Sequence, residues 1–300
     1  MAKFFYSDKY AVNLGGHVFP TLKYPGIKKK LIEKKLAKGN DFIDPGFAPE
    51  EDILLVHTKE YLEKIKNGKL NIQEIYQLEV PYSPGLRDAS LICVQGTILA
   101  GFEALNSGLG IHIGGGFHHA FPDHGEGFCV FNDIAVGICK LLKEKKISKA
   151  MTIDCDLHQG NGTAYIFKNE SRVFTFSIHQ ENNYPAVKPP SNLDIGVEDG
   201  CDDETYLRRL EENIPRILDD FKPELIVYVA GADPYQEDQL GGLSLTKEGL
   251  KKRDEFVFSE CKKQKIPVVV VLAGGYAYKL EDTVEIHTNT IETGLKIVKD

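Results

Sequence analysis

Seven short apolar runs recur along the chain, at residues 3–6, 53–56, 109–113, 150–155, 173–178, 225–229 and 267–272. Most are apolar without a break, the pattern of strands covered on both faces. Helical patterns lie between them. Asn132 can cap a helix that carries Ile134, Ile138, Leu141 and Leu142 on one face. A second starts near Asp203 and turns Tyr206, Leu207, Leu210, Ile214, Ile217 and Leu218 inward. A third starts at Thr246 and carries Leu250, Phe256 and Val257, and residues 88–106 also read as a helix. Strand–helix alternation predicts an α/β fold, a mostly parallel sheet between helix layers, as a single domain over residues 1–300. In such sheets ligands bind at the carboxyl ends of strands. The residues just after each strand are therefore the ones to read for chemistry.

After the run at 150–155 comes Asp154-Cys155-Asp156-Leu157-His158-Gln159-Gly160-Asn161-Gly162. In extended chain alternate residues share a side, which groups Asp154, Asp156 and His158. Burying three such groups without a partner is costly, and a cation is the simplest partner. Gly160 and Gly162 are expected to let the chain turn away. The run at 225–229 ends in Ala230-Gly231-Ala232-Asp233, which adds a carboxylate at another strand end. Asp156, His158 and Asp233 make three protein ligands with a position left for water, the mark of catalytic rather than structural zinc. An Asp/His/Asp set also suits iron(II). Gly114-Gly115-Gly116-Phe117-His118-His119 follows the run at 109–113, a candidate acid/base element. Ala273-Gly274-Gly275-Tyr276 follows the run at 267–272, where a tyrosine hydroxyl can donate to a developing oxyanion.

Charge narrows the partners. The net charge is −8, with 44 acidic against 36 basic side chains, so direct nucleic-acid binding is not expected. No signal peptide or membrane span is expected, the longest apolar run being residues 266–273. Six scattered cysteines, none in a CxxC pair, fit reduced thiols and a cytoplasmic location.

Gly116-Phe117-His118-His119, Gly127-Phe128-Cys129, residues 154–162, Gly231-Ala232-Asp233 and Gly275-Tyr276 together resemble the histone deacetylase family, in order and spacing over roughly residues 110–280. The N-terminal part resembles it more loosely, through Tyr6-Ser7, His17 and Val56-His57-Thr58. His158-Gln159-Gly160-Asn161-Gly162 and Leu240-Gly241-Gly242-Leu243-Ser244, followed by Lys252-Arg253-Asp254-Glu255, are similar to its class IV branch. The resemblance implies an arginase-like α/β fold and one zinc ion on Asp156, His158 and Asp233. It implies His118 oriented by Asp154, His119 as acid/base histidine in contact with Asn161, and Tyr276 on the carbonyl oxygen. It also implies an acyl channel of Gly127, Phe128, Tyr184 and Leu240. A monovalent cation, K+ or Na+, would lie near Asp154, Asp156, His158, Ser177 and Ile178. The expected substrate is an acylated lysine in a protein or peptide, or a small acylated amine, and the class IV likeness implies that long fatty acyl groups are removed better than acetyl. The chain differs from the commoner pattern at Asn161, where most relatives have aspartate, and at Ala273. No motif marks the acid that grips the substrate backbone at the rim, and Asp88 is the nearest guess.

A ureohydrolase on the same fold would need D-x-H-x-D and D-x-D for two manganese ions. Gly160 and Tyr235 stand where the last acids of those motifs belong, so that chemistry is rejected. A non-catalytic acyl-lysine binder would be expected to lack a ligand or the tyrosine, and all of them are present.

Overall fold

In the computed structural model, which describes residues 2–299, six of the seven apolar runs join two further segments in an eight-stranded sheet. Its strands are β1 (Phe4–Phe5), β2 (Phe42–Ile43), β3 (Leu109–His112), β4 (Ala150–Asp154), β5 (Val173–Gln180), β6 (Leu193–Val197), β7 (Leu225–Val229) and β8 (Val268–Val271). Every pairing is parallel, in the order β2-β1-β3-β8-β7-β4-β5-β6. The helices are α1 (Lys23–Glu33), α2 (Glu50–Ile53), α3 (Lys59–Asn67), α4 (Ile72–Leu78), α5 (Pro84–Ser107), α6 (Asp133–Lys143), α7 (Asn161–Phe167), α8 (Asp203–Phe221), α9 (Lys247–Gln264) and α10 (Leu280–Lys299).

Strand alternation decides which helices cover which face. Val227 and Val229 of β7 and Val269 and Val271 of β8 cluster with Ala100 and Ala104 of α5 and Ile134, Ile138 and Leu141 of α6. Their neighbours Ile226, Tyr228, Val268 and Val270 point the other way, into a cluster with Leu210 and Ile214 of α8 and Val257 and Phe258 of α9. The helix starts follow their caps. Asn132 Oδ1 accepts from Ala135 N at 2.9 Å, and Thr246 Oγ1 accepts from Gly249 N at 3.0 Å. α5 begins at Pro84 rather than 88, because Ser83 caps it and proline suits the first helical position. On α9 it is Phe258, not Phe256, that is fully buried beside Val257.

Residues 53–56 are not a strand. They follow Pro49 and the acids Glu50, Glu51 and Asp52, which favour a helix start, and form the end of α2 and a turn. Only Ile53 of this run is fully buried, while Leu54 is exposed, so the run lacks the two-sided cover a parallel strand requires. Conversely β2 and β6 lie at the sheet edges. β2 has only two residues, and Asp194 and Gly196 interrupt the apolar pattern of β6. Helix α5 is long and apolar enough to cross a membrane, contrary to the expectation from apolar runs, but 67% of its most apolar stretch is buried inside the fold. It packs against β3, β8 and α6. All six cysteines are free.

The sheet order places the chemistry. β4 and β7 are neighbours, with Asp154 level with Val229. The chain leaves β4 towards β5 on one side and leaves β7 towards β8 on the other. Divergence of consecutive connections opens a crevice at those strand ends. The loops after β3 and β8 flank the same crevice.

Core burial predicts unequal costs. Ile138→Ala on α6, where the side chain is 1% exposed, should lower unfolding free energy by about 2–5 kcal/mol. Val187→Ala, at 78% exposure, should stay within about 0.5 kcal/mol. Urea denaturation of the two variants would show the difference, and equal midpoints would contradict the assigned core.

Candidate metal centre and active site

Asp156 and His158 follow β4, and Asp233 follows β7; one ligand atom from each lies within 4.8 Å of the other two. All three residues are buried. Backbone donors aim the carboxylates. Leu157 N donates to Asp233 Oδ1 at 3.0 Å, His158 N to Asp156 Oδ1 at 2.9 Å, and Gly274 N to Asp156 Oδ2 at 2.8 Å. His158 Nδ1 faces Asp156 Oδ1 at 3.2 Å and Asp233 Oδ2 at 3.3 Å. The second contact lacks hydrogen-bond geometry, so Asp233 Oδ2 is a buried oxygen without a hydrogen-bond partner. Burial opposes charge on His158, yet the two carboxylates outweigh it and hold the imidazole up to about 10. Burial and the neighbouring Asp156 push Asp233 up. A site that draws a proton onto a histidine and leaves a carboxylate oxygen unsatisfied is one a divalent cation fits. Two acids and an imidazole suit zinc or iron(II).

Two histidines on the loop after β3 reach the same place. His118 Nδ1 donates to Asp154 Oδ2 at 2.7 Å, and Nε2 of His118 and His119 lie 3.1 Å apart. His119 Nδ1 meets Asn161 Oδ1 at 2.7 Å. Burial lowers His118's affinity for a proton, but Asp154 and Asp156 reverse this and raise it to about 9. For His119 burial dominates, the charges on His118 and His158 add to it, and the Asn161 hydrogen bond and the Asp156 charge offset too little, so the imidazole is held well below its ordinary value. Adjacent histidines thus favour opposite protonation states.

The turn after β4 depends on space rather than on unusual dihedrals. Gly160 has φ −72°. A Cβ on Gly162 would lie 2.3 Å from Ala120 O and 2.6 Å from His119 C. That position therefore admits the histidine loop only as glycine.

Gly127, Phe128, Tyr184 and Leu240 line a pocket of about 180 Å³ that ends on His119, His158 and Tyr276. Ser177, next to Asp154 in the β4–β5 register, is buried with its hydroxyl on His179 Nδ1 at 2.9 Å, and Ile178 is fully buried beside it. Asp88 does not line the pocket and pairs with Arg87 at 2.7 Å. The acid at the pocket is Glu79, whose backbone carbonyl meets His17 Nε2 at 2.7 Å. Sequence reading also passed over Asp238, which accepts from Tyr276 N at 2.6 Å and Leu240 N at 2.9 Å and so ties the tyrosine loop to the channel wall. Burial and the charge on Asp233 push its carboxyl up to about 7. Asp133, beside the recognised cap Asn132, accepts from Phe117 N at 2.8 Å and Gly116 N at 3.1 Å and holds the histidine loop.

The family model for the histone deacetylase domain matches residues 17–291. An uncharacterized protein of Picosynechococcus sp. is 36% identical over 91% of this chain and 91% of its own length. Histone deacetylase 2 of Arabidopsis thaliana is 32% identical over 90% of this chain and 73% of its own length. The acetoin utilization protein AcuC of Bacillus subtilis is 31% identical over 69% of this chain and 59% of its own length. Among solved structures, the HDA15 HD domain superposes on 100% of this chain and 89% of that one with a TM-score of 0.81, at 19% identity, a likeness of fold.

The ligand set makes metal loading measurable without turnover. Zinc added to the metal-free chain should raise Tm, because a ligand that binds only the folded state adds about 2.7 kcal/mol at 100 times its Kd. Asp233→Ala should abolish that shift and leave less than one tightly held divalent ion per chain. An unchanged zinc-dependent Tm in that variant would remove Asp233 from the ligand set.

Proposed function

Because the chain belongs to the histone deacetylase domain family, we propose that its buried Asp156, His158 and Asp233 serve a metal-dependent hydrolase that removes acyl groups from lysine Nε amides. One observation carries the reading. His158 of the Asp156–His158–Asp233 cluster, His119 and Tyr276 converge at the end of a narrow pocket whose walls include Phe128, Tyr184 and Leu240. Such a channel suits an extended methylene stem with its amide at the bottom. The class IV likeness of residues 158–162 and 240–244 belongs to the same proposal.

A divalent cation on Asp156, His158 and Asp233 supplies Lewis acidity towards the amide carbonyl and makes water a better nucleophile near neutral pH. His119 is the base. Its Nδ1 hydrogen is engaged by Asn161, which leaves Nε2 to accept the proton of the attacking water. Tyr276 donates its hydroxyl hydrogen to the carbonyl oxygen as negative charge develops there. His118, kept protonated by Asp154, returns a proton to the departing amine, which cannot leave as an anion. Asp154, Ser177 and the backbone near Asp156, His158 and Ile178 would hold K+ or Na+ behind this centre.

The geometry favours a short acyl group over the long chains that the class IV likeness implies. Beside Gly116, His118, Gly274 and Tyr276 there is space of about 20 Å³, enough for one water-sized group. A second space of about 20 Å³, near Tyr24, Leu86 and Cys93, lies behind Phe19, Phe117 and Phe128. A longer chain would have to displace those rings. A second reading, hydrolysis of a small acylated amine, draws on Glu79, whose carboxylate at the pocket would attract a further positive charge on a polyamine.

A panel of acetyl-, octanoyl- and myristoyl-lysine peptides with an N-acetyl polyamine tests the substrate. kcat/KM should be highest for the acetyl peptide and fall with chain length. A series rising with length would show that the phenylalanines open, and a polyamine preference would favour the second reading. In the same assay Tyr276→Phe should lower kcat by roughly 10²–10³ with little change in KM. A kcat within a few-fold of the parent would remove the tyrosine from oxyanion stabilisation.

A further inference from the structure

Behind Asn161 stands a carboxylate that the site reading leaves without a role. Asn161 is 2% exposed and donates from Nδ2 to Glu126 Oε1 at 2.6 Å. Tyr184 donates its hydroxyl hydrogen to the same oxygen at 3.0 Å. The other oxygen of Glu126 receives Gln77 Nε2 at 3.3 Å and lies 3.6 Å from His124 Nε2. Burial pushes the Glu126 carboxyl up, but the donors from His124, Asn161, Gln77 and Tyr184 outweigh it, so the group is held ionised.

An asparagine amide has a donor end and an acceptor end, and nothing in its own shape decides which end faces which neighbour. An aspartate in its place would have no such ambiguity. Here the neighbour decides. An ionised carboxylate only accepts, so Asn161 must present Nδ2 to Glu126 and Oδ1 to His119. With an acceptor at Nδ1, His119 must carry its hydrogen there, and Nε2 is left as the basic nitrogen. Were the amide reversed, Oδ1 would face the Glu126 oxygen at a repulsive distance. His119 Nδ1 would then face a donor, while the protonated His118 Nε2 already stands 3.1 Å from His119 Nε2, so the neutral ring would have no acceptor for its one hydrogen.

We propose that Glu126 is a positioning residue: through Asn161 it fixes the direction of hydrogen bonding to His119 and so selects the tautomer that can take a proton. The inference rests on the reading of His119 as base. It accounts for an asparagine serving where an aspartate would need no such partner, since the acceptor-only group stands one residue outward.

The test uses the metal-loaded full chain and an acetyl-lysine peptide. Glu126→Leu removes the acceptor and should lower kcat by at least about 10-fold, less than the roughly 10⁴-fold cost of a locked wrong tautomer, because Asn161 can still adopt either direction. Glu126→Gln, which keeps an oxygen for Asn161 and Tyr184, should lose less. The deciding variant is the pair Asn161→Asp with Glu126→Leu. An aspartate introduced at this position accepts at both oxygens whatever lies behind it, so it holds the His119 hydrogen on Nδ1 without help. The pair should therefore be no less active than Asn161→Asp alone within about three-fold, and any gain reflects relief of the repulsion between the new carboxylate and Glu126, 2.6 Å away. Loss of the Tyr184 contact is common to both backgrounds and cancels in the comparison. A Glu126→Leu kcat within two-fold of the parent, or the same loss in both backgrounds, would overturn the proposal. If the Leu variant does not fold, the Gln variant measured in the two backgrounds decides in the same way. His119→Ala separates the two levels of argument. Activity surviving that change sinks the base assignment itself, whereas its loss beside a normal Glu126→Leu sinks only the role of Glu126.

Discussion

Two carboxylates held side by side away from water constrain everything around them. Asp156 and Asp233 are 1% and 0% exposed. Each buried charge costs several kcal/mol unless it is paired and hydrogen-bonded. The fold answers with backbone N–H groups from Leu157, His158 and Gly274, and leaves a cation to complete the balance. These donors come from loops after β4 and β8, two strands separated by β7 in the sheet. Strand-end alignment is therefore a condition for the site, not a background to it. The requirement also fixes residue identity at a distance in sequence. A Cβ at Gly274 would sit 1.9 Å from Asp233 Oδ2.

What the sequence reveals follows from where each residue's constraint arises. β4, β7 and β8 are buried on both faces, so their apolar runs are continuous and legible, and the residues that follow them could be read as strand-end groups. β2 and β6 are edge strands, and their residues answer to one neighbour only. The run at 53–56 has strand composition, but the proline and acids before it and the exposure of Leu54 decide otherwise. The buried Asp156–His158–Asp233 cluster was legible because Asp156 and His158 share one short segment and Asp233 ends a clear strand. Asp238, Asp133, Glu79 and Glu126 were not, since each acts across the chain on a backbone or side chain far away in sequence. Glu126 lies between two glycines in a loop with no periodic pattern, and its function as acceptor for Asn161 exists only in three dimensions.

Adjacent residues can be given opposite chemistry by what stands behind them. His118 and His119 share a loop and a buried setting. His118 faces the Asp154 carboxylate, and His119 faces an amide. A carboxylate favours the charged ring, and burial without one favours the neutral ring. The two adjacent histidines thus sit at opposite ends of the proton-affinity scale, the arrangement that the proposed acid and base roles need.

The same economy of buried charge explains Arg253, which the sequence showed only as part of a family-like string. Its side chain is 0% exposed, and its Nη1 donates to Gly231 O at 2.7 Å and Cys155 O at 3.2 Å. Cys155 lies one residue before Asp156, and Gly231 two before Asp233. One guanidinium thus joins the two loops that carry Asp156 and Asp233, where the connections leaving β4 and β7 diverge. Its charge is balanced by Asp254 at 2.9 Å, which is itself held by Tyr228 and Thr290. A lysine could supply the charge but not the planar fork that reaches two carbonyls and a carboxylate at once. The position behind the site therefore selects arginine for geometry, because one side chain ties the loop before Asp156 to the loop before Asp233.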